Sequence, residues 1–93
     1  MSNKIAVIGR VSQSPAMVLN EKTGKEEALF HVHDKEAKKV FVCRSKINNV
    51  NIVENLKIDQ MVTVMGEVRR KDAQDYIQVD KCHYERAEKC QEV

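Results

Sequence analysis

The sequence predicts an all-β fold, a five-stranded barrel with one short helix between its third and fourth strands. Three observations lead to this fold class. Five stretches alternate apolar and polar side chains, which is the pattern of half-buried strands. A single stretch repeats apolar side chains at helical spacing. Two of the long strand stretches carry an interior glycine, a residue that otherwise weakens a sheet.

Polar turns separate the five predicted strands. The strands comprise Ile5–Val11, Ala28–Asp34, Lys38–Arg44, Met61–Arg69 and Tyr76–Tyr84. The segments between them are charged or contain glycine, and the two short ones suit hairpin connections. We expect Pro15 to end the first strand, because proline has no backbone N–H to donate, and Asn20–Glu27 to form a loop.

The predicted helix lies within Ser45–Leu56. Its apolar side chains recur every three residues and form one stripe, which comprises Ile47, Val50, Val53 and Leu56. The Ser45 hydroxyl can cap the N-terminus. Four asparagines and several β-branched residues make this a poor isolated helix, so we expect packing against the sheet to hold it.

Gly9 and Gly66 each lie inside a long predicted strand. A bend at such a glycine lets one strand serve both halves of a closed barrel, and closure removes the exposed sheet edges. The helix between the third and fourth strands then covers one end of the barrel. This order of elements is that of the OB-fold.

Length and composition predict one globular domain. We assign residues 1–85 to the barrel and residues 86–93 to a short polar tail. The net charge is only +2, so any basic surface must come from the distribution of charges. No apolar run reaches membrane-spanning length, and the start has no signal-peptide pattern. Three cysteines without paired spacing fit free thiols, so we expect a cytoplasmic protein.

The sequence contains none of the common motifs that indicate an enzyme. The chain has no glycine-rich phosphate loop, no serine in a nucleophile-elbow context and no obvious pair of acids in one cleft. We therefore expect a protein that is not an enzyme, with no catalytic residues and no cofactor.

Three segments carry a family resemblance, and the last of them, "VDKCHYE", resembles the end of the family's domain. "NKIAVIGRVSQSP" resembles the opening strand of bacterial single-stranded DNA-binding proteins, and "CRSKINNVNIVENLKIDQMVTVMGEVR" is similar to their helix and fourth strand. The residues that fit the family pattern are Asn3, Lys4, Gly9, Pro15, Lys46, Leu56, Lys57, Val62, Val64 and Gly66. Asp59 stands where the family has a turn glycine, and aspartate tolerates left-handed backbone better than most residues. The resemblance spans Asn3 to Glu85.

The resemblance implies a binder of single-stranded DNA that forms a homodimer or homotetramer, with the edge of the first strand as a candidate seam. The chain departs from typical members in having no tryptophan, few aromatic residues and a shorter hairpin after the second strand. The acidic tail that recruits replication proteins in typical members has no counterpart in this sequence, so recruitment through such a tail is not assumed. The short form is similar to primosomal replication protein N or to phage and plasmid members.

Binding to single-stranded DNA requires a basic groove and flat side chains on which bases stack. If Phe30, Val32, Val40 and Val42 fill the barrel, alternation turns His31, His33, Lys39, Phe41 and Cys43 to the opposite face. Phe41 is then the best stacking candidate, beside His31 and Lys39. The family resemblance places a stacking aromatic residue just before the helix. The matching position here is Cys43, so this chain lacks that stacking side chain.

The fourth and fifth strands supply the other candidates. Ile77 and Val79 point inward, so Tyr76 points outward, beside the basic cluster Arg69, Arg70 and Lys71. Arg10 follows Gly9 and can face the same groove. Each of these residues has an alternative interpretation. Phe41 can cover a neighbouring subunit, and Tyr76 can be a cross-strand partner. The basic residues can be solvated surface, which applies to Arg10, Arg69, Arg70 and Lys71.

A metal site is a further alternative, because His31 and His33 share one strand face. Zinc accepts four nitrogen or sulfur ligands, but the cysteines lack the paired spacing of a structural zinc site. We therefore expect no metal ligands.

The leading hypothesis is sequence-nonspecific binding of single-stranded DNA, accessory to DNA replication, restart or recombination. RNA is a possible second ligand, since such grooves accept either single strand. Replication or restart proteins are possible partners, and no membrane is implicated. The alternative, from another class, is a protein–protein adaptor on the same fold, because fold does not determine function.

Overall fold

The computed structural model describes residues 3–84, and within them the chain forms five strands and one helix. The elements are β1 (Lys4–Asn20), β2 (Lys25–Asp34), β3 (Lys39–Ser45), α1 (Asn49–Asn55), β4 (Met61–Lys71) and β5 (Gln74–Tyr84). The sheet closes in the order β1-β2-β3-β5-β4. This arrangement confirms the predicted five-stranded OB-fold barrel. The expected tail at residues 86–93, with Cys90, lies outside the described residues.

The long strand β1 serves both halves of the barrel, as predicted. Its first part, Lys4–Arg10, pairs with β4, and its second part, Arg10–Asn20, pairs with β2. Gly9 lies where β1 passes from one neighbour to the other, and a Cβ there would collide with the backbone carbonyl oxygen of His33. Glycine is therefore required by the close approach of two strands.

Gly66 has the same role on β4. A Cβ at this position would collide with the backbone carbonyl oxygen of Gln78. The pairing of β4 with β5 shifts register directly beside it, between Met65 and Gly66. Such a bulge bends a strand and sharpens its twist, which lets the barrel close.

Pro15 does not end β1, contrary to prediction. The strand continues to Asn20, and its register with β2 shifts between Val11 and Gln13 and again between Gln13 and Ala16. Proline lacks an N–H for the ladder, and a bulge is one of the places where a strand tolerates it. The predicted loop Asn20–Glu27 is consequently too long, because both of its ends belong to strands.

The core of the barrel combines inward side chains from all five strands with Ile52 of the helix and Leu56, which directly follows it. Ile77 and Val79 point inward, as predicted. The buried apolar residues are Val7, Val11, Ala28, Phe30, Val32, Cys43, Ile52, Leu56, Val62, Val64, Ile77 and Val79.

The facing of β3 is the reverse of the prediction. Val32 of β2 pairs with Phe41, and His31 pairs with Val42. Phe41 therefore turns toward the core, where it is half-buried, and Cys43 is fully buried, while Val40 is 47% exposed. Alternation alone could not decide the facing, because both faces of β3 carry apolar residues. The register with β2 decides it.

The helix α1 is shorter than predicted and is rotated about its axis. Ser45 belongs to β3, and its hydroxyl donates to the Ile47 carbonyl oxygen rather than capping the helix. Of the predicted stripe, Leu56 is buried and Val53 packs against the core, whereas Ile47 and Val50 are exposed; Ile52, outside the stripe, is buried instead. A helix of seven residues takes its orientation from the barrel end that it covers, because its own periodicity is too short to fix a stripe.

Turn chemistry agrees with the sequence. Asp34 Oδ1 accepts hydrogen bonds from the backbone N–H groups of Glu36 and Ala37, which closes the turn between β2 and β3. Asp72 and Ala73 both have positive φ, at 52° and 66°, as a two-residue hairpin of type I′ requires. Asp59 has φ 71°, so it adopts the left-handed backbone that the sequence predicted for this turn.

Candidate nucleic-acid interface

An open groove of about 440 Å³ runs over the outer face where β2, β3 and β5 meet, and the turn between β4 and β5 forms one end. The floor is built from cross-strand pairs. Leu29 lies opposite Arg44, and His31 lies opposite Val42, so each pair contributes outward side chains from β2 and β3. The lining residues are Leu29, His31, Val42, Arg44, Lys71, Asp72, Gln74 and Tyr76.

Three predicted site residues, His31, Lys71 and Tyr76, meet in this groove. His31 is half-buried on the floor, and Tyr76 is half-buried near the start of β5. Lys71 is exposed at the end of β4 and makes no ion pair among the residues that the structure describes. Its ammonium group is therefore available to an anionic ligand at the rim.

Arg44 is a groove residue that the sequence reasoning missed. Its guanidinium lies over the ring of Tyr76, with Cζ 5.6 Å from the ring centroid. Its Nε donates to Glu27 Oε1 at 3.0 Å, and the side chain is only 17% exposed. A guanidinium over an aromatic face is attracted by the ring quadrupole and can itself stack on a flat group. Arg44 and Tyr76 therefore present one composite surface to the groove.

Glu27 could not be recognised from its local sequence context. It follows another glutamate at the start of β2, and its partner Arg44 lies 17 residues further along the chain. A charge run at a strand end normally indicates solvated surface. The register of β2 with β3 places Leu29 opposite Arg44, and Glu27 lies on the same outward face of β2 as Leu29, where the Arg44 guanidinium reaches it.

The three basic residues at the end of β4 are not equivalent. Arg69 Nη2 lies 2.9 Å from Glu67 Oε1, and Arg70 Nε lies 2.9 Å from Asp75 Oδ1. The hydrogen bond from Arg70 lowers the pKa of Asp75 and raises that of Arg70, so this pair stays charged. Two of the three cations are thus partly neutralised, and neither lines the groove.

The other predicted residues lie apart from the groove. The Lys39 ammonium is 5.1 Å from the centroid of the Phe41 ring, and neither side chain lines the groove. The exposed stacking face expected for Phe41 is therefore wrong, because the ring packs against the core. Arg10 lines a second depression with His33 and donates from Nη1 to the Asp59 carbonyl oxygen at 2.8 Å.

No metal centre is found within residues 3–84. The cysteines, histidines and acids there form no group of three that could hold an ion. Cys43 lies inside the barrel rather than beside His31, and burial raises the pKa of its thiol to about 12. No helix in this part of the chain is long and apolar enough to cross a membrane.

The fold is similar to those of solved single-stranded DNA-binding proteins. The small single-stranded DNA-binding protein from Streptomyces coelicolor matches with a TM-score of 0.78 and 15% sequence identity, over 91% of this chain and 93% of that chain. The SSB domain of a Synechococcus protein matches with a TM-score of 0.77 and 14% identity, over 90% and 97% of the two chains. The single-stranded DNA-binding protein from Thermus aquaticus matches with a TM-score of 0.77 and 12% identity, over 98% of this chain and 44% of that chain.

Sequence comparison adds no family assignment, because no protein-family model and no curated protein matches the chain. The structural matches have sequence identities of 15% or less, at which a likeness establishes a common fold. The chain therefore has the OB-fold in the form found in single-stranded DNA-binding proteins.

Proposed function

We propose that the chain binds single-stranded DNA without sequence preference and that the strand lies in the groove over β2, β3 and β5. The observation that carries this proposal is the combination of the Arg44–Tyr76 stacking surface with Lys71 at the rim, which has no ion-pair partner within residues 3–84. A stacking platform beside a cation is the arrangement that sequence-tolerant single-strand binding uses, since every base has a flat face and every nucleotide a phosphate. The fold of the structural neighbours supports the same ligand class.

The groove supports modest rather than high affinity. Asp72 lines it together with Lys71, and acids partner Arg69 and Arg70 nearby. Each cation that neutralises a phosphate contributes roughly 0.7 to the slope of log affinity against log salt for a single strand. Because Lys71 is the one groove cation without an ion pair in the part of the chain that the structure describes, we expect a shallow slope and a large share of binding from stacking.

We further propose that the chain acts as an accessory in DNA replication, restart or recombination, in the manner of the short primosomal or phage and plasmid forms. The free thiols of Cys43 and Cys82 are compatible with the reducing cytoplasm in which such a protein would work. A replication or restart protein would then be its partner.

Self-association as a homodimer or homotetramer is part of this proposal. Lys4–Gly9 pairs with β4 on one side only, so half of its backbone groups face outward in the described part of the chain. Beside this edge Ile8 is 63% exposed, and Met61 and Met65 are also exposed. The same apolar face is what favours the second candidate function, a protein–protein adaptor.

A fluorescence anisotropy titration tests the proposed function. A labelled oligo-dT strand should bind with micromolar or tighter affinity at low salt and should weaken as salt rises. Lys71→Ala should weaken binding, whereas the control Lys81→Ala should not, because Lys81 lies on the face near Met65 and outside the groove. Competition with matched oligo-rU measures any preference for DNA over RNA. Absence of binding at low salt would contradict the proposal and leave the adaptor.

A further inference from the structure

Glu27 is the one charged side chain that is fully buried within residues 3–84, at 1% exposure. Its two carboxylate oxygens have different partners. Oε1 accepts from Arg44 Nε at 3.0 Å, and Oε2 accepts from Asn20 Nδ2 at 3.1 Å. A buried carboxylate is costly unless it is paired and hydrogen-bonded, and these two contacts supply both conditions.

Arg44 is fixed along its whole length. Glu27 holds the Nε edge of the guanidinium, whose Cζ lies over the Tyr76 ring at 5.6 Å from its centroid. The backbone of Arg44 is held as well, because Gln78 Nε2 donates a hydrogen bond to the Arg44 carbonyl oxygen at 3.3 Å. Arg44 therefore differs from Lys71, whose side chain has no ion-pair partner in the described part of the chain.

We propose that Glu27 is a positioning residue of the interface, which holds Arg44 as a charge-neutralised flat surface on which a base stacks. This inference rests on the proposed function. A phosphate could bind the Arg44 guanidinium only by pulling it away from Glu27. The Glu27 carboxylate would then be buried without its counter-ion. A base imposes no such cost, because it can lie on the guanidinium plane while Nε still donates to Glu27.

The consequence is a separation of roles between two cations in one groove. Lys71 contributes charge and therefore salt dependence. Arg44 contributes stacking area, and its charge is already balanced, so it adds little to counterion release. This separation distinguishes the inference from the simpler view that Arg44 is one more phosphate ligand.

Two tyrosines are present in the chain, so Tyr84→Phe leaves Tyr76 as a single intrinsic fluorophore beside Arg44. In that background, quenching of tyrosine emission by oligo-dT reports stacking at the groove, while anisotropy of the labelled strand reports affinity. Both signals are followed across a series of salt concentrations.

Glu27→Gln is the first variant. The amide keeps the shape of the side chain but leaves the Arg44 charge unbalanced and free to reach a phosphate. We expect the slope of log affinity against log salt to steepen by about 0.7 and the tyrosine quenching to fall. In the control Lys71→Ala, the slope should instead become shallower by about 0.7, with quenching retained.

Arg44→Lys tests whether Arg44 acts as a stacking surface, even if Glu27→Gln fails to fold. Lysine keeps a positive charge for Glu27 but has no plane, so binding should weaken by roughly five- to hundredfold with the salt slope unchanged. Wild-type affinity in Arg44→Lys, or an unchanged slope in a folded Glu27→Gln, overturns the inference and leaves the proposed function intact. Wild-type protein that does not bind oligo-dT at low salt overturns both.

Discussion

The Arg44 guanidinium lies over the Tyr76 ring, with 5.6 Å between Cζ and the ring centroid, and joins β3 to β5 across the outer surface. These strands form the parallel contact that closes the barrel, in which Arg44 pairs with Gln78 and Cys43 with Ile77. The stacking surface therefore exists because the barrel closes. Stability of the closure and binding at the groove are linked through this pair of strands.

Tyr76→Leu should weaken binding of oligo-dT by about 1–3 kcal/mol, the usual contribution of one stacked base. Tyr76→Phe should bind nearly as wild type, because the flat ring remains. Anisotropy titration of both variants measures the difference. Equal affinity of Tyr76→Leu and wild type would show that no base stacks there.

Lys71→Ala should reduce the salt dependence of binding more than Arg69→Ala does. Arg69 already has Glu67 as a partner at 2.9 Å, whereas Lys71 lines the groove without one in the described residues. The expected change of slope is about 0.7 for Lys71→Ala and clearly less for Arg69→Ala. Equal slopes in the two variants would mean that the hairpin cations act as a diffuse patch.

Gly9→Ala should destabilise the fold by about 3 kcal/mol or more, because the new Cβ must push the His33 backbone away from β1. Gly24→Ala is a matched control. Gly24 has open space around it and φ 71°, so only left-handed backbone strain of about 1–2 kcal/mol applies. Urea denaturation measures both changes, and a cost for Gly9→Ala no larger than that for Gly24→Ala would refute the close-approach argument.

Burial of Cys43 should make the fold less stable in alkali. Burial raises the pKa of this thiol from 9.0 to about 12, so above pH 9 the folded state holds a proton that the unfolded state loses. The buried neutral thiol contributes its full stability below pH 9, and this contribution falls as the pH rises toward 12, with a loss of roughly 3 kcal/mol at pH 11.

Denaturation of wild type and Cys43→Ala at several pH values tests this expectation. The alanine variant should lose less stability between pH 9 and 11. Cys82→Ala should behave similarly up to pH 11, and the two variants should diverge only above it, since burial raises the pKa of Cys82 to about 11 and that of Cys43 to about 12. Parallel stability curves for wild type and Cys43→Ala would contradict the assignment of the alkaline loss to this thiol.

The strand count, the closure and most turns could be predicted from the sequence because their signals are local. Interior glycines at 9 and 66, and Asp59 in a turn, identify positions where the backbone itself is constrained. Pro15 misled the prediction because bulges in β1 accommodate it, and a bulge depends on the partner strand.

The candidate site was less predictable for the same reason. On β3 both faces are apolar, so the choice between Phe41 and Val42 as the outward residue depended on the register with β2. The pair of Glu27 and Arg44 is separated by 17 residues, and neither residue has a local feature that indicates the other. Tyr76, Lys71 and His31 could be found because alternation or charge next to a hairpin marked them.

Amide chemical-shift mapping of the ¹⁵N-labelled protein with unlabelled oligo-dT tests the central claim most directly. The account predicts that the largest shifts fall at His31, Val42, Arg44 and Tyr76, with small shifts at Ile8 and Met65 on the far face. Shifts concentrated at Ile8 and Met65, or absent at the groove under saturating oligonucleotide, would contradict it.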